Sequence, residues 1–133
     1  EASLVAGVAF SHPRTTGSHA CSFPLTNIYG LPHGEACAFT LDYFIRFNAE
    51  YADENGRIAA FAKDCGFNSA YEMADEISAM KKRMGMKTRL SEIGCVTNQQ
   101  IEELTEKSMS MLMERNPVAL TKENIAEMYF SLK

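Results

Sequence analysis

Helical periodicity governs most of this chain. From Gly34 to Lys133 apolar residues recur three and four positions apart, and no stretch of four to eight residues alternates apolar and polar between turn residues. That pattern predicts an all-α fold without a confident strand. Glu35 to Asn48 carries apolar residues on several faces, Phe39, Leu41, Phe44 and Ile45 among them, which predicts one central buried helix. Ile58, Phe61, Ala62 and Cys65 follow the spacing i, i+3, i+4, i+7, with Gly66 as the stop. Ser69-x-x-Glu72 and Thr97-x-x-Gln100 are capping boxes, whose side chains satisfy N–H groups that the first helical turn leaves open. The first box opens a helix with Ala70, Met73, Ala74, Ile77, Met80 and Met84 on one stripe, ending at Gly85. The second opens a helix with Ile101, Leu104, Ser108 and Met111 facing inward, ended by Asn116-Pro117 because proline disfavours helix in the residue before it. Thr121 starts a short last helix on Ile125, Met128, Tyr129 and Leu132. Lys81-Lys82-Arg83 reads as a solvated helix end complementing the helix dipole.

A chain of 133 residues, 46% hydrophobic, suits one domain over residues 1–133 with a core of its own. Neither a repeat nor a linker divides it. Thirteen Lys and Arg against 17 Asp and Glu give a net charge of −4, which leaves no cationic excess for a phosphate backbone and argues against nucleic acid. The apolar runs fall far short of the roughly 18–20 residues of a membrane span. The start, Ala2 to Phe10, is apolar on nearly every side and lacks the basic region of a signal peptide. Such a helix belongs inside something larger, so residue 1 reads as a cut within a longer chain. Cys21, Cys37, Cys65 and Cys95 form no CxxC pair. They read as reduced, buried, structural thiols of a cytoplasmic protein.

Chemistry concentrates at the beginning. All three histidines, His12, His19 and His33, lie between Phe10 and Gly34 with three of the four prolines. Imidazole is the commonest protein ligand of a borderline divalent ion. His19 and His33 can meet at one ion if a helix carries the first and a turn returns the chain. Leu31-Pro32-His33-Gly34 suits that turn, since Pro fixes φ and Gly permits close approach. The residues alone leave two readings open, a metal site and satisfied structural histidines.

The full string is more specific. Gly17-Ser18-His19-Ala20, Phe23-Pro24-Leu25 and Leu31-Pro32-His33-Gly34-Glu35-Ala36, leading to Arg46-Phe47-Asn48-Ala49, resemble the metal-ligand segment of the iron-containing (group III) alcohol dehydrogenases. The resemblance implies the helical C-terminal domain of the dehydroquinate-synthase-like fold, with His19 and His33 as ligands of Fe2+ or Zn2+. It also implies an NAD(P)-dependent oxidoreductase of an alcohol and its aldehyde or ketone, homo-oligomeric when full length. NAD(H) or NADP(H) would be bound mainly by an N-terminal α/β domain. The family's D-x3-H and glycine-rich nucleotide motifs are absent from this chain, so alone it is expected to be inactive.

Two departures stand out. Where many relatives carry a further histidine near the nicotinamide, this chain has Phe23, leaving His12 as the candidate proton relay. Arg14 and Thr15, followed by Thr16, suit an anionic substrate, because guanidinium pairs bidentately with phosphonate or carboxylate. That stretch, with Phe23 to Thr26, resembles the phosphonoacetaldehyde reductase branch. The competing reading is a non-enzymatic helical binding domain.

Overall fold

The computed structural model describes residues 1–11 and 15–133. Among the described residues there are eight α-helices and no strand: α1 (Ala2–Phe10), α2 (Gly17–Tyr29), α3 (His33–Phe39), α4 (Leu41–Tyr51), α5 (Arg57–Asp64), α6 (Ala70–Arg83), α7 (Asn98–Ser108) and α8 (Lys122–Ser131). Two short 3-10 turns cover Leu90–Ile93 and Met113–Arg115. The all-α expectation stands.

Helix α2 is the hub, packing against α3, α4 and α7. Its Ala20, Cys21 and Leu25 join Phe39, Leu104, Ile125 and Tyr129 in the main core. A smaller apolar cluster of Ala62, Ala70 and Met73 fills the space between α4, α5 and α6. The Thr97 box closes on both sides, whereas at Ser69 only the first half forms, because the Glu72 carboxylate accepts from the Asn68 backbone N–H rather than from that of Ser69. The hydroxyls of Ser69 and Thr97 accept from the backbone N–H groups of Glu72 and Gln100, and Thr121 does the same for Asn124.

Four expectations need correction. The single helix over 35–48 is two, because Thr40 leaves helical geometry at φ −109°, ψ 1°. At that break the Lys81 ammonium donates to the Phe39 carbonyl at 3.1 Å and to Asp42 Oδ1 at 2.5 Å. Lys81 is therefore a buried plug between α3, α4 and α6, while Lys82 and Arg83 are exposed. Helix α7 stops at Ser108 and the chain turns extended at Met109. That turn puts Met113 in the core and leaves Met111 exposed. The Ser108 hydroxyl lies within hydrogen-bonding distance of both the Leu104 carbonyl and the Tyr129 hydroxyl, so the helix ends on a side-chain anchor. The stripe of α6 is buried at Met73 and Ala74 but exposed at Met80 and Met84.

Cysteine burial also differs from expectation. All four thiols are free, yet only Cys21 and Cys95 are buried; Cys37 is half-buried and Cys65 exposed, since neither of these two is enclosed by the main core. Residues 2–9 of α1 are exposed, with Leu4, Val5 and Val8 each about two-thirds or more accessible (73%, 68% and 68%).

Candidate metal centre

The site begins with a close approach. A Cβ on Gly17 would stand 2.6 Å from Phe44 Cε1 and 2.7 Å from Leu120 Cδ1, so glycine lets the first turn of α2 lie directly on the core. His19 follows on that turn. Helix α2 includes Pro24, which has no N–H to donate to the carbonyl four residues back, and ends at Gly30 in the left-handed region at φ 72°. Leu31 is buried, Pro32 caps the next helix, and His33 is the first residue of α3. The turn thus returns the chain as its residue types require.

His19 and His33 meet with ring centroids 4.8 Å apart, edge to face. Between them lies Cys37, one helical turn after His33, with Sγ 3.5 Å from His19 Nδ1 and 3.6 Å from His33 Nε2. One donor atom from each of the three lies within 4.8 Å of the others. The Ser18 hydroxyl donates to the Cys37 carbonyl at 2.7 Å, tying α2 to α3 beside the cluster. Phe23 sets its ring 5.0 Å from that of His19 and 6.2 Å from that of His33, and remains 46% exposed. Burial, and secondarily the charge of His33, hold the His19 imidazole below its ordinary pKa. That shift favours its uncharged, electron-pair-donating form. An open cavity of about 370 Å³ adjoins the cluster, lined by Thr15, Thr16, Ser18, His19, Gly34 and Cys37 among others.

The structure thus brings together His19, His33, Phe23 and Thr15. His12 and Arg14 lie outside the described residues. The Glu35 carboxylate accepts from the Lys87 backbone N–H at 2.7 Å. Sequence reasoning missed Cys37, taken as a structural thiol. The signal was the His33-x3-Cys37 spacing, which places both side chains on one helix face.

Two borderline imidazoles and one softer sulfur can hold Fe2+ or Zn2+, and an ion held by three groups keeps positions open for substrate. Fold and cluster together define an all-α domain that could hold one divalent ion beside an open cavity. Residues 1–132 match the Fe-containing alcohol dehydrogenase family, C-terminal, and the chain belongs to this family. An alcohol dehydrogenase of Thermococcus barophilus is 33% identical over 135 aligned positions, covering 96% of this chain and 34% of that protein. The crystal structure of sulfoacetaldehyde reductase from Bifidobacterium kashiwanohense in complex with NAD+ superposes with a TM-score of 0.92 at 48% identity, over 99% of this chain and 34% of that one. An iron-containing alcohol dehydrogenase from Thermococcus thioreducens gives a TM-score of 0.80 at 31% identity, over 96% of this chain. The chain spans about a third of the length of these relatives. Among the described residues no helix is long and apolar enough to cross a membrane.

Proposed function

We propose that this chain is the metal-holding part of an NAD(P)-dependent oxidoreductase that interconverts a small anionic aldehyde and its alcohol. The observation that carries this reading is the convergence of His19 and His33 on one point beside an open cavity. When bound, Fe2+ or Zn2+ supplies Lewis-acid polarisation of the substrate oxygen, while hydride passes to or from the nicotinamide. His19 contributes a nitrogen whose uncharged form is favoured, and His33 presents its ring from the start of α3. Phe23 offers an exposed apolar face next to both imidazoles, suited to pack against the nicotinamide and exclude water from the reacting carbon. Proton transfer to the product alkoxide falls to His12, the remaining imidazole of the chain.

Thr15 lines the cavity beside His19, which supports reading its hydroxyl as a donor to the anionic end of the substrate. Arg14 supplies the matching charge. The likeness to a sulfoacetaldehyde reductase at 48% identity favours sulfonate over phosphonate as the anionic group. The NAD+ in that complex favours NAD(H).

Metal analysis tests the first half of this reading. In the complete polypeptide, His33→Ala should lose bound Fe or Zn and reductase activity together; unchanged metal content would leave a helical binding domain with structural histidines. For the second half, Arg14→Ala should depress kcat/KM for sulfoacetaldehyde much more than for propionaldehyde. Equal losses on both would remove the anionic substrate from the proposal.

A further inference from the structure

We propose that Cys37 is a sulfur donor to the ion held by His19 and His33, making this a mixed imidazole–thiolate site that favours Zn2+ over Fe2+. The inference rests on the reading that the two histidines hold a divalent ion, and it adds the third donor and the metal preference. Coordination would replace the S–H bond with a sulfur–metal bond and release the proton to solvent.

A tetrahedral centre with bonds of about 2.3 Å to sulfur and about 2.05 Å to nitrogen separates S from N by about 3.6 Å. Cys37 Sγ already stands 3.5 Å from His19 Nδ1 and 3.6 Å from His33 Nε2. Two edges of the coordination polyhedron are therefore in place. One nitrogen of His19 and one of His33 lie within 4.8 Å of each other, and the pair that binds would have to approach to about 3.3 Å. His33 is exposed at the helix start, so its ring is free to rotate by that amount.

Position supports the same assignment. His33 and Cys37 are four residues apart on α3, and side chains so spaced lie on one helix face and can chelate. The Ser18–Cys37 hydrogen bond fixes the register of α3 against α2, so the sulfur stands opposite His19 by construction. The remaining thiols are elsewhere: Cys21 and Cys95 belong to the main core, and Cys65 is exposed in the groove beside α5. Thiolate is a softer donor than imidazole or carboxylate, and softness favours Zn2+ over Fe2+.

Cobalt substitution tests the proposal without relying on activity. The complete polypeptide, stripped by a chelator and reloaded with Co2+, should show a near-ultraviolet sulfur-to-cobalt charge-transfer band. Cys37→Ser should lose that band but keep the visible d–d bands of histidine-bound cobalt; Cys65→Ser should keep both. In competition between Zn2+ and Fe2+, Cys37→Ser should reduce the preference for Zn2+ by about tenfold or more. Visible bands without the charge-transfer band in the wild type would overturn the sulfur ligand and leave the proposed function standing, with Cys37 then only orienting His19 through Nδ1. Failure of the wild type to take up cobalt, with no metal lost in His33→Ala, would overturn both. Because the wild-type spectrum is decisive alone, a folding defect in the variant does not rescue the idea.

Discussion

Gly17 shows how one missing methyl positions the metal cluster. An added Cβ would enter the van der Waals shells of Phe44 and Leu120 at once, so Gly17→Ala should cost about 1–3 kcal/mol through overpacking, read as a lower urea midpoint with an unchanged m-value. Because the displaced turn carries His19, metal affinity should fall in the same variant. Cys21 has a different consequence. Burial pushes its thiol up to about 11, against an unfolded value of about 8.5–9, although hydrogen bonding with Tyr129 and Ser108 acts the other way. Since the folded value is the higher one, this contribution to stability is fully present below about pH 8.5 and is lost as pH rises towards 11. The loss should run at about 1.4 kcal/mol per pH unit through that window. Cys21→Ala should flatten the alkaline slope of unfolding free energy by one proton's worth, measured by urea titrations between pH 8 and 10.5. An unchanged slope would assign the dependence to another group.

Between α3 and α4 a buried ion pair does what local sequence does not. Lys81 Nζ caps the Phe39 carbonyl and neutralises Asp42 where Thr40 breaks the helix, with the Lys81 and Asp42 side chains only 5% and 18% exposed. Lys81→Met should therefore destabilise by about 3 kcal/mol, because it leaves a carboxylate and a carbonyl without their cation. Adding Asp42→Leu should recover part of that loss in a double-mutant cycle; equal single and double effects would mean that the aliphatic stem, not the charge, matters. The same pair explains what was legible in the sequence. The caps at Ser69, Thr97 and Thr121 were readable or nearly so, because partner and donor are three residues apart. The break at Thr40 was not, because its stabilising cation lies 42 residues beyond Phe39 on α6. Likewise the pairing of His19 with His33 could be read from motif and turn chemistry. The insertion of Cys37 between them depends on how α2 crosses α3, which periodicity does not specify.

For the molecule as a whole, α1 is the element whose sequence and surroundings disagree. Ala2 to Phe10 holds no charged residue, Leu4, Val5 and Val8 are exposed, and among the described side chains neither core cluster draws on α1. An apolar helix of this kind is ordinarily covered, since each aliphatic side chain gains about 1.5–3 kcal/mol when fully buried. The 133-residue chain studied alone should satisfy that tendency by self-association. Sedimentation velocity should show concentration-dependent oligomers, and Leu4→Lys with Val8→Lys should shift the chain to monomer while leaving the helical circular dichroism of α2 to α8 in place. In a polypeptide of the relatives' length, where α1 has other chain to pack against, the same double substitution should instead lower thermal stability. A monomeric wild-type chain, together with an unaffected long polypeptide, would show that α1 tolerates solvent. The opposite signs separate a sticky surface from a domain contact. Metal retention in the long double variant would then report whether covering α1 also helps to hold His19, which follows it in the sequence by nine residues after Phe10.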